Sequence, residues 1–287
     1  MTRTRGLLAA TAIPLILMAG CARPGEAGSI TESAPAPTAD ATVLVRLGYQ
    51  GGFVPEIYRF VRLPEVTIYA DGRVVSNGPV PAVAPGPALP NVQISKITPE
   101  RARQWAADAV AAGVKDGADF GTPGVADIPD TVVTAVTDGR AQTVHVTALR
   151  ETRPDDAQVT AAQKAARAKL AAYVDSLRAL ATETGSPAPD AYRPESVAVL
   201  AQPYVPVDDG LEQKPVAWPG PALPGATLSG TVHCVAVSGA ELTKVWAAAA
   251  TANQRTPWTS GGKQWQVMFR PLLPDETGGC AALGKAS

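Results

Sequence analysis

The sequence predicts an α+β protein: an antiparallel sheet built from hairpins, about three packed helices and one disulfide. Three observations carry this expectation. Alternating apolar and polar runs flank Asp71-Gly72, Asp138-Gly139 and Gly261-Gly262, pairs that accept the positive φ a tight hairpin turn demands. Apolar residues recur at helical spacing in three other segments. The chain has three cysteines, and setting Cys21 aside leaves an even pair, Cys234 and Cys280, for one bridge in an oxidising compartment.

In chain order, residues 1–20 read as an export signal. Arg3 and Arg5 form a short positive head, and the apolar run from Leu7 to Met18 falls short of the roughly 20 residues that a membrane span needs. Met18-Ala19-Gly20-Cys21 resembles the lipobox of bacterial lipoproteins, with Met18 where that family more often has leucine. The resemblance ends at Cys21. It implies that the Cys21 thiol takes a diacylglyceryl group, bringing palmitate-type acyl chains, and that the chain is cut just before it. An ordinary signal peptide with an incidental cysteine is the alternative. Residues 21–41 are rich in Ala, Pro, Ser and Thr without apolar periodicity. They read as a disordered tether with a root-mean-square reach of about 25 Å.

Residues 42–185 read as an α+β domain. "TVLVRLGYQ" alternates as a half-buried strand should, and "ADGR" marks a hairpin. Thr98-Pro99-Glu100 supplies an N-cap and a first-turn proline, after which Ala102, Trp105, Ala106 and Ala109 form one stripe closed by Gly113. "TDGR" marks the next hairpin. A second helix is predicted from about Asp156 to Thr184, with Leu170, Tyr173, Val174 and Leu177 buried and Gly185 as its stop.

Residues 194–287 offer about three strands and one helix, which Ser238 and Glu241 would open as a capping box, burying Leu242, Val245, Trp246 and Ala249. That is a thin core for independent folding, so this part is expected to pack on the first. Two Pro-rich connectors, residues 77–90 and 202–225, share the string "PGPALP". The echo raises the question of a duplication.

Composition excludes some functions. Without Arg3 and Arg5 the chain carries 23 Lys and Arg against 26 Asp and Glu, with no basic block, so nucleic acid has no electrostatic footprint. Gly and Pro make up 53 of 287 residues, which together with abundant alanine suggests a high-GC, actinobacterial source.

No catalytic, metal or cofactor residues are assigned. His145 and His233 lie in strand-like alternation, and neither a G-x-S-x-G elbow nor an H-E-x-x-H or C-x-x-C pattern occurs. His233 and Cys234 are strand neighbours and point to opposite faces, so they make no dyad. Asp155-Asp156 suits a helix start, and Asp208-Asp209-Gly210 has too few acids nearby for a calcium cage.

Aromatic residues are sparse, so Tyr49, Phe53, Trp218 and Trp258 in loop-like segments are the candidate ligand-binding residues. The alternative is that each covers the edge of a small core. Gly51-Gly52-Phe53 and Asp138-Gly139 also resemble, in outline, the emfourin-type protease inhibitors. That resemblance covers about half of the chain and implies inhibition of an extracellular metalloprotease through an extended segment.

The expected function is a lipid-anchored binding or scaffolding module on the outer face of the cytoplasmic membrane. Its partner would be an envelope protein, cell-wall component or small molecule. Protease inhibition is the second expectation and a carboxylate-based enzyme the third.

Overall fold

Strand β1 (Val43–Gln50) sets the architecture because its two faces differ. Val45 and Leu47 are fully buried on one side, while Arg46 and Gly48 look to the other. In the computed structural model, which describes residues 41–182 and 188–283, β1 is followed by the short helix α1 (Ile57–Val61), β2 (Val66–Tyr69), β3 (Arg73–Asn77) and β4 (Val92–Lys96). Helix α2 (Pro99–Ala111), the hairpin β5 (Asp130–Thr137) and β6 (Arg140–Thr147), helix α3 (Ala161–Thr182) and the two-residue β7 (Asp190–Ala191) come next. These strands form one antiparallel seven-stranded sheet in the order β6-β5-β1-β2-β3-β4-β7.

The second sheet begins with β8 (Ser196–Pro203) and β9 (Val216–Ala217), then β10 (Ala226–Ser229), β11 (Val232–Ser238), helix α4 (Gly239–Ala250), β12 (Trp258–Ser260), β13 (Lys263–Pro271) and helix α5 (Cys280–Leu283). Its order is β10-β11-β8-β13-β12-β9, antiparallel except where β9 runs parallel to β12. The fold is therefore α+β, with the disulfide between Cys234 and Cys280 formed. Both sheets lie in one compact unit.

Turn chemistry explains the hairpins. Asp138 and Gly139 both adopt positive φ, as do Gly261 and Gly262, which matches strand twist in two-residue loops. The β2–β3 connection differs from expectation, because only Gly72 takes positive φ there. Asp71 instead accepts the Arg73 N–H at its carboxylate. Gly72 is obligatory on a second count: a Cβ there would sit 2.1 Å from the Ile97 carbonyl oxygen.

Helix α2 starts as predicted. The Thr98 side chain accepts from the Arg101 N–H, Pro99 occupies the first turn, and Gly113 follows with φ +106°. Helix α3 starts later than Asp156. Its box is Thr160 with Gln163, each side chain accepting the other's backbone N–H, a pairing that satisfies two orphan donors at once. Asp156 belongs to the preceding loop, where its carboxylate accepts from Gln158 and Gly124. Ser238 is the N-cap residue of α4 but makes no side-chain cap bond.

Helices α2 and α3 cover one face of the first sheet. Val45, Leu47, Val66, Ile68 and Val133 pack there against Ala102, Trp105, Leu170 and Leu177. The Trp105 and Tyr173 rings meet edge to face at 5.9 Å, and the Tyr173 hydroxyl donates to the Trp105 carbonyl. On the second sheet, Val197, Val199, Val267 and Phe269 face α4 and three tryptophans. Its other face, Ala198, Leu200 and Cys234, receives Ile57 and Phe60 of α1 and Leu283 of α5. Thus α1, which is encoded in the first half, packs on the sheet of the second half.

Tyr69, Val75 and Val92 of the first sheet close on Leu273, and the Tyr192 hydroxyl donates to the Leu272 carbonyl. The Pro-rich connectors are ordered surface straps. Ala88 donates to the Ala252 carbonyl and Gln254 to that of Gly86, while the Trp218 indole donates to Pro221. Residues 1–40, with the signal, the lipobox, Cys21 and nearly all of the tether, lie outside the described residues, as does Gly185. Ala41, the last tether residue of the sequence reading, is 3% exposed and part of the body.

Candidate functional site

The polar face of β1 opens a cleft of about 230 Å³ where the two sheets meet. Strand β1 contributes Arg46 and Gly48 and β5 contributes Val132 and Thr134 to its walls. Helix α1 and the residue after it bring Arg59, Phe60 and Arg62, and the C-terminal segment brings Arg270, Glu276, Ala282 and Leu283. The walls are apolar at Val54, Phe60, Leu63, Pro64, Val132 and Leu283, with four guanidinium groups set among them.

The turn after β13 neutralises two of these cations. Both Asp275 carboxylate oxygens accept from Arg46 Nη2 at 2.8 Å, and Oδ1 also accepts from the Tyr69 hydroxyl at 2.7 Å. Burial opposes the charge on Arg46, and the adjoining Asp275 carboxylate outweighs it, so this guanidinium is held above its ordinary pKa. Burial and then Asp275 push the Tyr69 hydroxyl far up. Arg270, 5% exposed, forms a two-bond pair with Glu276 at 2.5 and 2.6 Å.

Arg59 and Arg62 are not neutralised. Arg62 donates from Nη1 to the Gly51 carbonyl, and neither residue meets a carboxylate among the described residues. Helical spacing places them on one side of the chain. Two carboxylates, Glu276 of the lining and its neighbour Asp275, thus stand against four guanidiniums, in a protein whose net charge is −1.

The four aromatic candidates are not brought together. Trp258 and Trp218 are core residues, 1% and 9% exposed, their rings perpendicular at 5.4 Å and both packed on Phe269. Trp218 and Trp258 are thereby corrected from candidate binding residues to core residues, because they fill the space between α4 and the second sheet. Tyr49 borders the cleft, but its hydroxyl donates to Glu65 and accepts from Arg178. Burial and then Glu65 raise its pKa. Phe53 is 90% exposed, at the tip of a loop that the positive φ of Gly51 and Gly52 turns outward.

His145 is exposed on the edge strand β6. His233 shares a hydrogen bond with the Thr227 hydroxyl and lies edge-on to Trp265. Asp209 pairs with Arg255, whose hydrogen bond holds its carboxyl below the usual range. No described group of three His, Cys, Asp or Glu residues is placed to hold a metal ion, and no described helix is long and apolar enough to cross a membrane.

Sequence reasoning missed the arginines. "RFVR", two cations three residues apart among apolar neighbours, was the available signal for Arg59 and Arg62. Nothing local marks Arg46 and Asp275, whose separation is 229 residues. Comparison with protein-family models, curated proteins and solved structures returned no match.

Proposed function

We propose that the chain is an envelope binding protein, held to the outer face of the cytoplasmic membrane through lipidated Cys21, that takes its ligand in the cleft between the two sheets. One observation carries the reading: the cleft is built by both halves of the chain, and its unneutralised guanidiniums lie among apolar side chains. A few polar groups in an apolar concavity are what ligand sites commonly share.

The test is ligand retention by the full chain purified from its own envelope, read by mass spectrometry after denaturation. Gly48→Leu fills the cleft from the β1 wall, where a Cβ meets Pro64 Cα at 3.7 Å, ordinary contact, and an unfolding midpoint equal to the wild type's checks that the longer side chain leaves the fold intact. A ligand retained by the wild type and lost in Gly48→Leu is the expected outcome. Equal retention in both, or nothing above control, would remove the cleft as the site.

Inhibition of an extracellular protease is the second reading, favoured by the outward presentation of Phe53. It requires that the chain slow a protease and that Phe53→Asp abolish the effect.

A further inference from the structure

The geometry points to the class of ligand: an oxyanion, carboxylate or phosphate, carried on a short apolar body, with Arg59 and Arg62 as its anchors. This rests on the cleft being the binding site. Four guanidiniums line one cleft, with Arg270 buried, Arg46 and Arg62 half-buried and Arg59 exposed, and like charges gathered on one surface repel unless counter-charge is present. The fold supplies half of that counter-charge itself, with Asp275 on Arg46 and Glu276 on Arg270. Both acids come from a single turn, so the neutralisation is local to the inner wall.

At the outer wall, Arg59 has no hydrogen-bond partner among the described residues, and Arg62 spends one N–H on a neutral carbonyl. Arg46 directs Nη2 to Asp275 and Nε to the Thr67 hydroxyl, leaving Nη1 with no partner among the described residues. A guanidinium presents its donors as a planar fork that fits two oxygens of one carboxylate or phosphate. Phe60, Leu63 and Leu283 form the apolar remainder of the wall. A fully polar anion would leave these carbons without a partner, and a neutral apolar ligand would leave the arginines unpaired. An oxyanion with an apolar body satisfies both.

The volume fixes the scale. A cavity of roughly 150 Å³ takes one benzene ring, so the cleft of about 230 Å³ seats a short chain or a single ring.

Calorimetry on the full chain tests the assignment with hexanoate, hexyl phosphate and hexanol as probes. At least one of the two anions should bind, and hexanol about tenfold or more weakly than that anion, the equivalent of one charge-assisted hydrogen bond. Whichever anion binds identifies the oxyanion. Arg59→Gln and Arg62→Gln should each weaken that anion about tenfold and flatten its dependence on salt, while Arg140→Gln on the β5–β6 turn, outside the cleft's lining, leaves it unchanged. Hexanol binding as tightly as the anions would overturn the proposal, as would wild-type affinity in Arg59→Gln and Arg62→Gln, or no binding by either anion. If neither anion binds while an envelope ligand is still displaced by Gly48→Leu, the cleft stands as the site and the oxyanion assignment falls.

Discussion

The Asp275 carboxylate ties Arg46 and Tyr69 of the first sheet to the turn after β13, and Asp275→Asn isolates that tie. The substitution keeps the side-chain shape and one acceptor for the Tyr69 hydroxyl. It removes the charge that both Arg46 contacts at 2.8 Å depend on and turns an amide N–H₂ toward a guanidinium. Removing one partner of a fully buried pair costs about 3–5 kcal/mol, whereas an exposed pair is worth about 0–1. With side-chain exposures of 29% for Arg46 and 18% for Asp275, the pair lies nearer the buried limit, and the expected loss is about 2–3 kcal/mol. At a urea slope of about 2–3 kcal/mol/M, the unfolding midpoint should fall by about 1 M. Equilibrium urea unfolding followed by tryptophan fluorescence reads this directly, since the second sheet's core holds Trp218, Trp258 and Trp265. Arg46→Met, Asp275→Leu and Tyr69→Phe together should recover most of the loss, because apolar replacement of a buried pair is often neutral and the phenylalanine removes the hydroxyl that Asp275 accepts from and that would otherwise be left unpaired. A midpoint in Asp275→Asn within about 0.2 M of the wild type, or a triple variant no better than the single one, would refute the tie as described.

Reducing the Cys234–Cys280 bridge frees a loop of 46 residues in sequence separation, and the chain-entropy model gives a loss of about 4 kcal/mol; an unchanged urea midpoint in dithiothreitol would contradict it. Alkaline pH should destabilise the fold. Tyr69, Tyr173 and Tyr192 are all raised, burial being the largest cause in each. Their contribution is therefore fully present below the unfolded tyrosine value of about 10 and lost as pH rises above it, at up to about 4 kcal/mol per pH unit for three groups. A midpoint that stays flat from about pH 9 to about pH 11 would oppose this. Cys21→Ser should move the chain out of the membrane fraction or trap its precursor without altering unfolding of the body; normal membrane retention of that variant would count against the lipid anchor.

Much of the fold was legible because its signals are local. Thr98-Pro99, Asp138-Gly139 and Gly261-Gly262 each fix backbone angles within a few residues, so the first long helix and two hairpins follow from chemistry that needs no tertiary context. The start of α3 was misplaced because Asp155-Asp156 and Thr160 both carry capping chemistry, and only the docking of Asp156 on the Gly124 N–H decides between them. The aromatic candidates divided for a similar reason. A proline-flanked tryptophan such as Trp218 reads as a loop residue, and whether a loop lies against solvent or against a core is settled by what packs over it.

By itself, the sequence determined the class of fold, the pairing of Cys234 with Cys280 and the positions of its turns, all of which depend on composition, cysteine parity or short-range backbone preference. Only the tertiary structure decided that α1 crosses to the second sheet, that Arg46 finds Asp275 across 229 residues, and that Arg59 and Arg62 lie in a cleft which their own fold leaves positively charged. Burial and long-range charge balance depend on distances between segments, and a linear pattern does not encode those distances residue by residue.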